Sequence, residues 1–136
     1  MQFLELNHVL LIDDDTINNY INEKLLKKLN FSQDIKILLN GEEAIKYLQS
    51  QVDSDPDFFP ELILLDINMP VMDGFEFLEA FKELNFKNKS QITIIMLTTS
   101  TNPSDVTRVK SSIVADYINK PLTEIKLQNM MNKFFS

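Results

Sequence analysis

Four groups of polar residues each follow an apolar run. Asp13, Asp14 and Asp15 follow VLLI, Asp66 follows LILL, Thr98, Thr99 and Ser100 follow ITIIML, and Lys120 follows DYIN. Carboxylates gathered in one place repel each other. Two of them about 4 Å apart lose roughly 4 kcal/mol at an effective dielectric near 20, against a typical domain stability of ~5–15 kcal/mol. A proton or a cation has to relieve that repulsion. Lys120 offsets one charge. A hard divalent ion such as Mg2+ or Mn2+ suits an all-oxygen donor set and would offset the rest. Carboxylate, hard cation, lysine and hydroxyl are together the groups that phosphoryl transfer uses. Asp66, alone at the end of its run, is the candidate nucleophile, forming an acyl phosphate.

These groups meet only if the chain folds so that all four runs end at one edge. Val9 to Ile12, Asp34 to Leu39, Leu62 to Leu65, Ile92 to Leu97 and Ala115 to Ile118 read as strands. Helical patterns lie between them. Asp15 or Thr16 caps the first, with Ile17, Ile21, Leu25 and Leu29 at i, i+4 spacing predicted inward. The second runs from Glu42 to Gln51, with Ala44, Ile45 and Leu48 inward. The third carries Phe75, Leu78, Phe81 and Leu84 on one face. Asn102 and Pro103 open a short polar fourth helix, about Ser104 to Ser111. Thr123 caps a fifth helix bearing Leu127, Met130, Met131 and Phe134. The alternation is (βα)5, which predicts an α/β fold with a parallel sheet, helices on both faces and right-handed crossovers. In such sheets ligands bind beyond the carboxyl ends of the strands.

Composition narrows the partners. The 136 residues favour one domain, with a core spanning about residues 8–135 and no effector domain after it. The net charge of -7 disfavours nucleic acid and membrane headgroups, leaving proteins, cations and small molecules. The absence of cysteine removes disulfides and thiolate chemistry. No basic, apolar leader is visible, and no apolar run approaches the ~18 residues of a membrane span. The expectation is a cytoplasmic domain without membrane insertion.

Five motifs in order carry a resemblance: IDDD (Ile12 to Asp15), NGEEAI (Asn40 to Ile45), LLDINMPVMDG (Leu64 to Gly74), MLTTS (Met96 to Ser100) and DYINKPL (Asp116 to Leu122). The chain resembles the receiver domain of two-component response regulators over about Val9 to Phe135. The resemblance implies a flavodoxin-like three-layer sandwich with strand order 2-1-3-4-5. It implies that Asp66 is the phosphoacceptor and that Mg2+ (or Mn2+) is held by Asp13, Asp14, Asp66 and the backbone carbonyl of Asn68, with Asp14 a direct ligand and Asp13 acting largely through water. Lys120 would pair with a phosphoryl oxygen, next to a cis Lys120-Pro121 bond. Thr98 and Tyr117 would form the switch, and Asn68 and Ser100 would tune dephosphorylation. The partners implied are a sensor histidine kinase or a histidine phosphotransfer protein, and an unknown downstream protein. IVADY (Ile113 to Tyr117) lacks the glycine common before the fifth strand in the family, which implies a loop of different shape.

Simpler roles suffice for other residues. Asp15 reads as a helix cap. Asp53, Asp55 and Asp57 lack the glycine and closing glutamate of a calcium loop and read as a solvated loop. His8 lies away from the polar strand ends. Gly74 reads as a positive-φ turn. An aspartyl-phosphate phosphatase or mutase would need an acid two residues after Asp66, where this chain has Asn68. A receiver-like binding module without phosphorylation would not need the full set of Asp14, Asp66, Thr98 and Lys120. The expectation is therefore a phosphorylation-controlled, stand-alone signalling switch rather than an enzyme, active in trans or within a phosphorelay.

Overall fold

The computed structural model describes residues 5–99, 102–110 and 112–135. Its elements alternate as β1 (Val9–Ile12), α1 (Thr16–Lys28), β2 (Ile35–Leu38), α2 (Gly41–Ser54), β3 (Leu62–Asp66), α3 (Gly74–Lys82), β4 (Thr93–Thr98), α4 (Pro103–Lys110), β5 (Asp116–Asn119) and α5 (Glu124–Phe135). The five strands form one parallel sheet in the order β2-β1-β3-β4-β5. This is the flavodoxin-like arrangement predicted.

The aliphatic runs make the centre of the sheet. Successive strand residues point to opposite faces, so continuous runs serve a sheet covered on both sides. Leu10, Ile12, Ile63, Leu65, Ile94 and Met96 pack with Ala44 and Leu48 of α2, Phe75, Phe77, Leu78 and Phe81 of α3, and Val109 of α4. Val9, Leu11, Leu62, Leu64, Ile95 and Leu97 pack on the other side with Leu26 of α1 and Leu127, Met130 and Met131 of α5. Phe77 is fully buried, stacked on Phe81 at 5.8 Å between ring centroids.

Side chains fix the helix starts that face the carboxyl edge. The Asp15 carboxylate accepts the Ile17 and Asn18 N–H groups at 3.0 and 3.1 Å, confirming the cap. Asn40 caps α2 through the Glu43 N–H. Asp73 and Glu76 form a reciprocal capping box on α3. Asn102 accepts the Ser104 N–H ahead of α4, and Thr123 accepts the Lys126 N–H at the start of α5.

Three expectations need correction. α1 does not bury Ile17 and Ile21, which are 69% and 51% exposed. Its buried residues are Asn19, Asn22 and Leu26, a face rotated from the apolar i, i+4 row. α2 continues past Gln51 to Ser54, so Asp53 is helical and accepts a hydrogen bond from Gln49 one turn back. Only Asp55 and Asp57 lie beyond the helix, with Asp57 3.1 Å from Lys87. Gly74 does not have a positive φ. It is required by close approach: a Cβ there would collide with the Asp66 carbonyl oxygen and sit 3.0 Å from the Ile67 Cα.

Candidate functional site

β1 and β3 are neighbours in register, Ile12 beside Leu65. Their next residues, Asp13 and Asp66, therefore emerge side by side at the carboxyl edge. Asp13, Asp14 and Asp66 each place a carboxylate oxygen within 4.8 Å of the others. Asp13 and Asp66 are buried, 4% and 8% exposed, while Asp14 is open to solvent. Asp15 serves as the cap and does not join the cluster.

β5 delivers the cation. Lys120 follows it directly, and the Lys120-Pro121 peptide is cis, as the resemblance implied. Lys120 Nζ lies 2.8 Å from Asp13 Oδ2 and 3.4 Å from Asp66 Oδ1. The Lys120 N–H also donates to the Thr98 carbonyl, tying the end of β5 to the end of β4.

Asp66 is held asymmetrically. Oδ1 accepts the Ile67 N–H at 2.9 Å and faces Lys120, whereas Oδ2 makes no hydrogen bond among the described residues. Burial, followed by the negative charge of Asp13, pushes the Asp66 carboxyl up to about 6; Lys120 and the Ile67 N–H pull it partly back. Burial acts to lower the Lys120 pKa, but the hydrogen bond to Asp13 and the charges of Asp66 and Asp13 prevail and hold it above the ordinary lysine value. The site thus carries more negative charge than its lysine offsets.

The donor set fits a hard divalent cation. All the available ligand atoms are oxygens, they converge, and the exposed Asp14 leaves a path for entry.

Thr98 ends β4 at the same edge and is buried. Asn68 lies two residues after Asp66, just past β3, and is exposed. Tyr117 is half-buried on β5, beside Met96 in register, and packs against the cluster beneath α2, α3 and α4. Ser100 lies outside the described residues. His8 sits at the opposite end of β1, its Nδ1 2.8 Å from Asp34 Oδ2.

Sequence reasoning missed one residue at this site. Asn19 of α1 is 2% exposed and donates through Nδ2 to the Asp13 carbonyl at 2.8 Å. A second helical row (Asn19, Asn22, Leu26) was legible at i, i+3, i+7, but its two polar members made the Ile17 row look like the better core face.

The model of the response regulator receiver domain matches residues 9–132, and the chain belongs to that family, the receiver module of two-component signalling. It is 31% identical to Two-component response regulator 24 of Arabidopsis thaliana over 124 residues, 91% of this chain and 81% of that protein. Its fold matches the crystal structure of a two-component response regulator from Cytophaga hutchinsonii with a TM-score of 0.84 and 32% identity, covering 96% and 98% of the two chains. The receiver domain of a sensor histidine kinase from Pseudomonas aeruginosa, solved with magnesium coordinated in its active site cleft, has the same fold. It has a TM-score of 0.75 and 22% identity, with coverage of 96% and 98%. No helix among the described residues is long and apolar enough to cross a membrane.

Proposed function

We propose that Asp66 accepts a phosphoryl group from the phosphohistidine of a sensor histidine kinase or a histidine phosphotransfer protein. One observation carries this reading: a single lysine ammonium lies between two buried carboxylates, 2.8 Å from Asp13 and 3.4 Å from Asp66. A paired structural lysine would need one acid. Here the surplus of negative charge is kept in a site open to solvent through Asp14.

Asp13, Asp14, Asp66 and the Asn68 carbonyl would hold Mg2+, with Mn2+ an alternative for the same oxygens. When bound, the ion supplies positive charge to the phosphoryl oxygens and to the acids around them. The rest is done by the chain. Asp66 Oδ2, which makes no hydrogen bond among the described residues, attacks phosphorus. The new O–P bond forms as the P–N bond breaks, and the donor imidazole leaves with the electron pair. Lys120, already within reach of Asp66, turns to the arriving phosphoryl oxygen. The Thr98 hydroxyl adds a hydrogen bond there.

The charge gained at Asp66 biases a two-state equilibrium. Thr98 and Tyr117 report it, since β4 and β5 are paired and Tyr117 lies on the strand beside Thr98. Asn68 and Ser100 set the lifetime of the acyl phosphate. The domain is a cytoplasmic switch that signals by binding another protein or by passing the group onward, and its only chemistry is its own phosphorylation and dephosphorylation.

Intact-mass measurement after incubation with acetyl phosphate and Mg2+ tests this. Wild type should gain one phosphoryl group and Asp66→Asn none. An unmodified wild type contradicts the proposal, and continuous turnover of phosphate esters favours an aspartyl-phosphate hydrolase.

A further inference from the structure

We infer that Asn19 is a positioning residue for the acid pair Asp13 and Asp14, so that Mg2+ binding depends on an amide in α1. This rests on the metal-dependent reading of the site.

α1 is turned against its own hydrophobicity. It exposes Ile17 and Ile21 and buries Asn19 and Asn22. A rotation that buried the isoleucines would match the usual apolar stripe but would carry Asn19 away from β1. In the observed rotation the Asn19 Nδ2 donates to the Asp13 carbonyl at 2.8 Å. The Asn19 Oδ1 is buried without a hydrogen-bond partner among the described residues. Burying a half-satisfied amide is unfavourable for folding. A leucine would cover the same face without that cost.

The carbonyl that Asn19 holds belongs to the peptide joining Asp13 to Asp14. Fixing it fixes the plane from which both carboxylates project. Among the described residues Asp13 is also held by its N–H to the Leu38 carbonyl at 3.0 Å and by Oδ2 to Lys120 at 2.8 Å, and its Oδ1 accepts the Asp15 N–H at 2.9 Å, closing a turn across Asp14 on the side away from the Asn19 contact. Asp14 is exposed, and among the described residues its carboxylate makes no hydrogen bond, so the backbone on either side of it sets its aim. Asn19 therefore stands behind the metal ligands as an outer partner that orients them, a kind of contact whose loss weakens metal affinity without removing a ligand.

The test compares wild type, Asn19→Leu and Asn22→Leu. Asn22 lies on the same buried face but makes no hydrogen bond to Asp13 among the described residues, so it controls for disturbance of α1. Mg2+ titration by calorimetry is read beside urea unfolding without Mg2+. Asn19→Leu should weaken Mg2+ binding about tenfold or more while its metal-free unfolding stays cooperative, and Asn22→Leu should keep wild-type affinity. If Asn19→Leu does not fold, Asn19→Ala removes the same amide without added bulk and should show the same loss. Wild-type affinity in the position 19 variant, or an equal loss in Asn22→Leu, overturns the role of Asn19. A wild type that binds no Mg2+ overturns the site reading itself.

Discussion

Lys120 Nζ lies 2.8 Å from Asp13 Oδ2, joining the ends of β5 and β1 across 107 positions of sequence. The contact is closer than that to Asp66, at 3.4 Å. The lysine is therefore parked chiefly on Asp13, leaving Asp66 the less committed of the two acids.

Removing that ammonium leaves two buried carboxylates facing each other. Lys120→Met should lower stability at pH 7 by about 3 kcal/mol, the scale of breaking a buried pair. The loss should shrink at pH 5, where Asp66 takes up a proton. Urea unfolding at both pH values checks this, and equal losses at the two would contradict it.

The raised Asp66 value carries a pH dependence of its own. Its carboxyl holds a proton more tightly when folded, about 6, than when unfolded, about 3.9. That stabilisation is full below about pH 4 and is lost as pH rises through about 6. Asp66→Asn, which cannot ionise, should therefore gain on wild type by on the order of 2–3 kcal/mol between pH 4 and pH 7. This applies to the metal-free protein. Mg2+ competes with the same proton, so Mg2+ affinity of wild type should climb through about pH 6 and then level off. Paired unfolding curves and Mg2+ titrations read both effects.

Gly74 donates its N–H to the Ile67 carbonyl at 2.8 Å and leaves no room for a Cβ against the backbone of Asp66 and Ile67. Gly74→Ala should cost about 1–3 kcal/mol, as overpacking does, and should slow phosphoryl uptake because the displaced atoms belong to Asp66 itself. A variant with wild-type stability and uptake would show that the loop gives way freely.

Val71 sits at φ 69° within a tight turn in which the Met72 N–H donates to the Pro70 carbonyl at 2.8 Å. A β-branched residue is strained there. Its side chain is 73% exposed, so little packing is at stake. Val71→Gly should raise stability by about 0.5–1 kcal/mol, the left-handed penalty less the entropy of glycine, measurable as a higher melting temperature.

The sheet and the convergence of its polar ends were legible because the aliphatic runs of β1 and β3 lead directly into the acids that meet at the carboxyl edge. VLLI into Asp13 and LILL into Asp66 fixed register and edge together. The face of α1 was not legible, because hydrophobic spacing favoured Ile17 and Ile21 while the fold placed Asn19 on the Asp13 carbonyl. Gly74 was read as a conformational need when the constraint was space, set by a backbone that comes near only in the folded state. The end of α2 was misplaced because Val52 to Ser54 look like the start of a loop, although the Gln49–Asp53 pair extends the helix by a turn.

Phosphorylation at Asp66 leaves a chemical mark that can be located. Borohydride reduction of the acetyl phosphate-treated protein converts an aspartyl phosphate to homoserine, and peptide mass mapping then locates it. Homoserine should appear at position 66 alone and only when Mg2+ is present. Homoserine at position 13, 14 or 15, or labelling at 66 that is indifferent to Mg2+, would contradict the site described here.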